Sequence, residues 1–407
     1  MDAERKLDIV QGIVRHGLKG AGVDALLVDF CERVTRAGIP LMRANLSQMT
    51  IHPTIVGHDY QWWSDKEEAI VDNWIRSSTR VMTDEDILKM PFGYMALNEL
   101  PTLRIKLEKT NEPTQFEVVD ALREKGATDY FAIETNFESS FDRGPFKGFR
   151  TSFTTREAGG FRDSDIDTLS ALMPSLGLAI KGSSTYRVAK NLMETYLGED
   201  AGNRVLNGEI VRGSVETIRA VLFSCDLQGF TRLSEQTDGE ELIGLLNDYF
   251  ESVVSALDEQ GGEVLKFMGD GLMAIFRLED NKDVCRAALD ATEAARKNLH
   301  ALNEARRAEG KSTSNVYIAL HLGDVMYGNI GSADRLDFTV IGPAVNEAAR
   351  IESMCRAVDQ DVVISSAFRD GTQPDSQNRL VSLGRYALRG VRRPQELFTL
   401  DPEPDAA

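Results

Sequence analysis

The stretch VLFSCDLQGFTRLSE, Val221 to Glu235, constrains the fold more than any other part of the chain. Val221 to Cys225 is a mostly apolar run of strand length, the pattern of a strand covered on both faces. It ends in a carboxylate, Asp226, and then in Gly229-Phe230-Thr231, a turn that opens a helical segment. Downstream, Asp238 is placed to cap a helix over Glu240 to Leu257, where Leu242, Leu245, Leu246, Phe250, Val253, Val254 and Leu257 share one face. Val264–Phe276 reads as a hairpin closed by Gly269-Asp270-Gly271, because Asp-Gly is a favoured two-residue turn. A second helix spans Val284 to Ala308. Strands follow at Val316–His321, Val325–Ile330 and Asp337–Ile341, then a helix from Pro343 to Met354 and a strand at Val362–Ile364. Helices alternate with strands that meet through hairpins, so this part is expected to be an α+β sandwich on a mixed or antiparallel sheet.

A chain of 407 residues exceeds one ordinary domain, and three segments are expected: 1–183, a connector at 184–215, and 216–401. In the first, Val23 to Ala37 has helical spacing, and Leu41–Met49 and Ile55–Trp63 are strand-like. Leu103–Leu107 alternates, Phe116–Lys125 is helical, and Asp129–Asn136 and Gly148–Thr154 read as paired strands. A closing helix is expected from Asp163, as N-cap, to Lys181. Trp62, Trp63 and Trp74 lie close together with His52 and His58, a grouping best explained by aromatic core packing. The connector continues helically from Tyr186 to Leu197 and then turns polar; it serves as a plain linker or as a paired helix that carries a signal.

The net charge of −18 argues against a nucleic-acid partner, which needs a basic surface. Local basic groups or a cation still allow an anionic small ligand. The four cysteines, Cys31, Cys225, Cys285 and Cys355, contain no CxxC pair and suggest neither zinc nor disulfides. A charged start, MDAERKLDIV, and the absence of an apolar run of about 20 residues give a cytoplasmic expectation with no membrane span.

Asp226 and Asp270 each close an apolar strand beside glycine, so neighbouring strands would bring both carboxylates to one sheet edge. There they would repel unless a hard divalent ion lies between them, and such an ion leaves positions open for phosphate. The Gly229-Phe230-Thr231 turn offers free backbone N–H groups as an anion seat. A metal pair beside a phosphate seat points to phosphoryl or nucleotidyl transfer. In LDFTVIGPAVNEAARIES, Asn346 and Arg350 are four apart and project from one helix face, suiting ribose positioning and charge stabilisation. Lys266, mid-strand in VLKFMGD, is not explained by packing. His321 reads as a structural strand residue.

Together the strand with Asp226 and GFT, the KFMGDG hairpin and TVIGPAVNEAARIE resemble the catalytic domain of class III adenylate cyclases, which has a ferredoxin-like fold. The resemblance implies that Asp226 and Asp270, helped by the Leu227 carbonyl, bind two Mg²⁺ or Mn²⁺ ions. It implies that Gly229, Phe230 and Thr231 seat the triphosphate and that Lys266 and Thr339 read adenine. Guanylate cyclases usually have Glu and Cys at those two places, so the pair favours ATP. Asn346 would orient the ribose, Arg350 would stabilise the transition state, and Arg335 would contact the triphosphate. The family acts as a head-to-tail dimer with composite sites, so a homodimer is expected to make cyclic AMP and pyrophosphate. In ALRGVRRPQELF, Val391 stands where the family has a phosphate-binding Lys, so that role passes to Arg389 or Arg392 or goes unfilled. Pro343, where many relatives have Asp, suits a first helical turn. The first segment resembles a GAF-type sensory domain, with a PAS-like domain as the alternative. This implies regulation by a small-molecule or protein effector that the residues do not name. A guanylate cyclase and a nucleotide-binding pseudocyclase acting as an interaction module are the other readings. Cys225, beside Asp226, raises the idea of redox-sensitive activity.

Overall fold

The computed structural model describes residues 1–66, 68–76, 83–108, 112–137, 147–278, 283–391 and 394–401. The chain divides into two compact units, Met1–Leu192 and Met193–Ala407.

The first unit opens with helices α1 (Ala3–Leu18) and α2 (Val23–Arg36) and strands β1 (Arg43–Met49), β2 (Ile55–Trp63) and β3 (Ile70–Ile75). Short helices α3 (Asp84–Leu88) and α4 (Pro91–Leu97) lead to β4 (Thr102–Lys106) and α5 (Glu117–Glu124). The pair β5 (Asp129–Asn136) and β6 (Gly148–Thr155) precedes a long helix, α6 (Asp163–Leu197). The strands form an antiparallel sheet in the order β3-β2-β1-β6-β5-β4. Strand alternation sorts its residues onto two cores. Leu46, Tyr60, Trp62 and Phe153 pack with Ile13, Phe30 and Leu172 from α1, α2 and α6. Tyr130 and Ala132 pack with Met95 of α4 and Leu122 of α5.

The same alternation divides the tryptophan group. Trp62 is core; Trp63 is half-buried beneath Lys125, whose Nζ is 4.9 Å from the ring centre; Trp74 is exposed and donates from Nε1 to Asp59 at 2.6 Å. Only Trp62 fits the packing explanation in full. Helix α6 was expected to stop near Lys181 but continues to Leu197, across Gly182-Ser183-Ser184-Thr185. The hydroxyls at the join are satisfied within the helical conformation. Ser184 Oγ donates to Gln48 Oε1 (2.8 Å) and Thr185 Oγ1 to the Lys181 carbonyl (2.7 Å).

The second unit contains α7 (Glu199–Leu206), β7 (Val215–Leu227), α8 (Phe230–Gln236) and α9 (Gly239–Glu259). A hairpin of β8 (Glu263–Met268) and β9 (Gly271–Arg277) is followed by α10 (Val284–Ala308), β10 (Val316–Gly331), β11 (Leu336–Ile341) and α11 (Pro343–Val358). The unit ends with β12 (Val362–Ser365), α12 (Ser366–Gly371), α13 (Pro374–Gln377), β13 (Leu380–Tyr386) and β14 (Gln395–Leu400). The sheet order is β13-β14-β12-β10-β7-β9-β8, with β11 paired to β10. The β10–β12 pair is parallel and the others are antiparallel, so the sheet is mixed and the unit is α+β.

Strand β7 is central, and its apolar run is covered on both sides. Val221, Phe223 and Cys225 join a core with Leu245 and Tyr249 of α9 and Leu289 of α10. Ala220 and Leu222 join Ala344 and Ala348 of α11 and Ala201 of α7 on the other side. At α9, Asp238 caps as expected, its Oδ1 accepting from the Glu240 amide at 3.0 Å.

Three local expectations change. The stretch from Val316 to Gly331 is one strand rather than two, because it pairs continuously with β7 from Val316↔Leu227 to Gly328↔Val215. The β8–β9 loop is Gly269-Asp270, with Gly271 already paired to Met268, so Gly-Asp rather than Asp-Gly makes the turn. Gly269 supplies the positive φ of +69° that a glycine-first hairpin turn needs. Part of the polar connector folds as α7 and docks by Ala201, which is buried, and by Asp200, which accepts from Arg277 and Tyr327. Among the described residues no helix is long and apolar enough to cross a membrane.

Candidate active site

The alternation along β7 places Asp226 on the α11 side of the sheet, two residues from Ser224. Its neighbour in register on β9 is Gly271, and the Leu227 amide donates to the Asp270 carbonyl at 3.3 Å. The turn residue Asp270 therefore stands beside Asp226. Burial, the charge of Asp270 and the charge of Glu352 together push the Asp226 carboxyl up to about 6. Such a pair holds a proton between its members or takes a cation. Two carboxylates converging at a strand end, with the main chain of Leu227 adjoining, are a hard-oxygen donor set of the kind Mg²⁺ and Mn²⁺ use. Among the described residues no group of three or more His, Cys, Asp or Glu is arranged to hold a metal.

Glu352 was not anticipated. It lies on α11, half-buried, and its Oε2 accepts from Ser224 Oγ at 2.8 Å. Burial first, and then the charge of Asp270, raise its carboxyl. The signal for it was Ser224 itself, a hydroxyl inside a buried strand, which needs a partner.

Gly229 is the cap of α8 in the left-handed region (φ +68°), the one position in the turn that requires glycine. Phe230 packs against the α9–α10 core, while Gly229 and Thr231 are exposed beside the Asp pair's strand end.

Lys266 and Thr339 lie on facing parts of β8 and β11. Lys266 Nζ donates to Asp337 Oδ2 at 3.3 Å, and Thr339 follows two residues later on the same face of β11. Thr339 is buried, and its hydroxyl has no hydrogen-bond partner among the described residues. An orphaned buried hydroxyl beside a lysine fits a polar ligand edge. Lys266 and Asp337 also border a cavity of about 1390 Å³.

Asn346 and Arg350 share a face of α11, as their spacing required. Asn346 is exposed, and Arg350 lies over Gly390, where a Cβ would meet Nη1 at 2.8 Å. Gly390, at φ +76°, therefore makes room for the guanidinium. Arg389 is exposed in the same turn. Val391 is half-buried against Ile351 and Cys355, so it contributes packing where the family pattern has a cation. Arg392 lies outside the described residues. Arg335 is exposed at the β10–β11 tip, in a turn closed by the Ser332 amide to the Arg335 carbonyl (2.9 Å).

The site residues do not all converge within one chain. Glu352 faces Ser224 and the Asp pair, and Arg350, two residues away on a helix, is rotated by about 200° from it. Asn346 and Arg350 thus look away from Asp226 and Asp270. His321 is buried, its Nδ1 3.0 Å from Ser365 Oγ, and burial lowers its pKa, as suits a structural residue. Cys225 faces the α9–α10 core, opposite to Asp226, and burial drives its thiol well up. Such a thiol is unreactive, so the redox idea is not supported.

An α+β domain with paired carboxylates at the end of its central strand and a polar helix face alongside defines the class. Residues 213–402 match the family model "Adenylate and Guanylate cyclase catalytic domain", and this C-terminal part of the chain belongs to that family. An adenylate cyclase of Anabaena cylindrica is 35% identical over 169 residues, covering 40% of this chain and 33% of that protein. Adenylate cyclase 1 of Rhizobium meliloti (strain 1021) is 29% identical over 183 residues, covering 41% of this chain and 27% of that protein. The chain thus spans a third or less of the length of these two curated relatives. The crystal structure of the adenylyl cyclase CyaB from P. aeruginosa is 28% identical with a TM-score of 0.43, covering 48% of this chain and 100% of that one.

Proposed function

We propose that the protein is an adenylate cyclase that converts ATP to 3′,5′-cyclic AMP and pyrophosphate at sites shared between two copies of the chain. The observation that carries this reading is the two-sided use of α11: Glu352 faces the carboxylate pair while Asn346 and Arg350 face away. One chain presents two half-sites, and a head-to-tail homodimer completes both.

Asp226, the Leu227 carbonyl and Asp270 would hold two Mg²⁺ or Mn²⁺ ions. When bound, these ions supply neutralising charge for the phosphates and lower the pKa of the ribose 3′-hydroxyl. The chain's own groups do the rest. The Gly229-Phe230-Thr231 turn seats the triphosphate through backbone N–H groups, and Arg335 and Arg389 add cationic contacts. Lys266 donates to the base, and the free hydroxyl of Thr339 pairs with its polar edge; the family resemblance assigns this pair to adenine rather than guanine. Asn346 fixes the ribose, and the Arg350 fork stabilises charge on the phosphorus as the 3′-oxygen attacks and pyrophosphate leaves in line. The first unit, an antiparallel sheet with helices packed on both cores, is read as a GAF-like regulatory domain whose effector controls turnover.

The test has two arms. Purified full chain is assayed with ATP and with GTP, each in Mg²⁺ and in Mn²⁺, and cyclic AMP is expected as the main product. Preference for GTP would transfer the protein to the guanylate cyclases, and no cyclic product from folded dimer would leave the pseudocyclase reading. In the second arm, inactive Asp226→Asn and Arg350→Ala chains are mixed in equal amounts and allowed to exchange subunits. Half of the dimers are then mixed, each with one intact site of two, so about a quarter of wild-type activity returns. No recovery, with subunit exchange verified, would refute the shared site.

A further inference from the structure

A cavity of about 540 Å³ lies at the end of β7 and the start of β10, beside the Gly229 turn but not including either metal-site carboxylate. Three of its eleven lining residues are arginines, Arg232 of α8, Arg307 at the end of α10 and Arg356 of α11, and none is acidic. This is unusual in a chain with a net charge of −18. The cavity beside Lys266 carries six acidic side chains, among them Asp258, Glu263 and Asp337. Arg307 pairs with Glu304, whereas Arg232 and Arg356 have no ion pair among the described residues. Neutral amide and hydroxyl groups, including Asn315 and Tyr317, complete the lining. Tyr317 lies opposite Asp226 in register, so the cavity adjoins the metal-site edge of the sheet.

We propose that this cavity is a second anion site, separate from the carboxylate pair, that takes a small phosphoanhydride of the pyrophosphate class. Guanidinium forks arriving from three different helices match tetrahedral phosphate oxygens by bidentate hydrogen bonds. The volume exceeds what a single phosphate fills, and arginines spread around the wall suit two linked phosphoryl groups. Binding itself does not depend on the cyclase reading. Its consequence does: the cavity shares Gly229 with the turn read as the triphosphate seat, so an anion held there adds negative charge beside it. Pyrophosphate would then slow turnover from a cavity that adjoins the seat it leaves.

The experiment is calorimetric titration of the full chain with pyrophosphate in EDTA, which removes divalent ions. One saturable site per chain is expected. Arg356→Gln and Arg307→Gln should each weaken it about tenfold or more, the loss expected for one charge-assisted contact, while Asp226→Asn should bind as wild type does. Arg356 and Arg307 are exposed, so these variants fold, and their unchanged melting temperature is the control. Absence of saturable binding overturns the proposal, as does binding indifferent to Arg356→Gln or binding lost in Asp226→Asn. Equal displacement by citrate would overturn the phosphoanhydride assignment. In parallel, Arg356→Gln should keep its cyclic-nucleotide production but lose inhibition by added pyrophosphate. If no nucleotide is cyclised by any chain, the cyclase reading fails while the titration still decides the anion site.

Discussion

The Asp226–Asp270 pair makes a prediction that runs against the usual effect of replacing a half-buried carboxylate. Without a cation, burial and two neighbouring carboxylates hold the Asp226 carboxyl at about 6, against an ordinary value of 3.8. Below about pH 4 the group is protonated in both the folded and unfolded chain and costs nothing. As pH rises from 4 to 6 the unfolded chain has released the proton that the folded chain still holds, so stability falls. Above pH 6 the full penalty persists. The displacement is worth about 3 kcal/mol for a fully buried group, and solvent around this half-buried one reduces that to about 1–2 kcal/mol. Asn at position 226 is neutral at every pH and escapes the penalty. In EDTA, Asp226→Asn should therefore match wild type near pH 4 and exceed its stability by about 1–2 kcal/mol at pH 7.5.

The assay is urea denaturation of both full chains at half-unit pH intervals, read as the difference between them, which cancels other titrating groups such as Asp258. Adding Mg²⁺ or Mn²⁺ should reverse the order. At about 100 times its dissociation constant a cation stabilises the wild type by about 2.7 kcal/mol, and the variant gains much less. Parallel profiles for the two chains in EDTA, or a variant less stable at pH 7.5, would refute the electrostatic account of this edge. A wild type that gains no stability from either ion would refute the metal assignment.

Arg350→Ala should lower kcat by about 10²–10³ with a smaller change in KM, and Arg350→Lys should not restore it, because a point charge lacks the fork; equal loss in kcat and in the melting temperature would reduce Arg350 to a structural role over Gly390. Exchanging Lys266→Glu together with Thr339→Cys should raise the GTP-to-ATP ratio of kcat/KM at least about tenfold, measured by product chromatography; an unchanged ratio removes both residues from base recognition. Arg204 bonds Asp200 (2.9 Å), Glu209 (3.3 Å) and Glu216 (2.7 Å) and stacks over Tyr327 and Phe338. Arg204→Ala should cost about 1–2 kcal/mol of stability in urea, and a loss below about 0.3 kcal/mol would show that α7 is not anchored by this network.

What the sequence revealed of the fold follows how each element is buried. Helices α9 and α10 and strands β2, β5 and β7 were legible because one or both faces meet a core, which imposes a period. Strand β3 was not, because all six of its residues are exposed and only backbone pairing to β2 makes it a strand. Helix α6 was read as two helical stretches, Asp163 to Lys181 and Tyr186 to Leu197, which the structure joins into one. At the join, the Ser184 hydroxyl donates to the distant Gln48. The connector was missed for a related reason: Asp200 read as solvated polarity, but its partners Arg277 and Tyr327 lie far along the chain.

The candidate site divides along the same line between local and distant information. Asp226, Gly229 and Asp270 could be found because strand end, turn and glycine are local features, and the register of β7 with β9 then brings them together. Glu352 could not, since its meaning depends on Ser224, 128 positions away. Yet Glu352 marks which way α11 is turned, because it faces Ser224. With Ala344, Ala348, Ile351 and Cys355 buried on one side of α11, Arg350 is rotated by about 200° from Glu352. On the proposed shared-site reading, one chain then does not close its own site. On the same reading an acidic residue there has two consequences: it raises the demand for a cation between Asp226 and Asp270, and it leaves Arg350 turned toward a second chain. Replacing Glu352 by Gln keeps the Ser224 hydrogen bond and the rotation while removing the charge, so it separates these two effects.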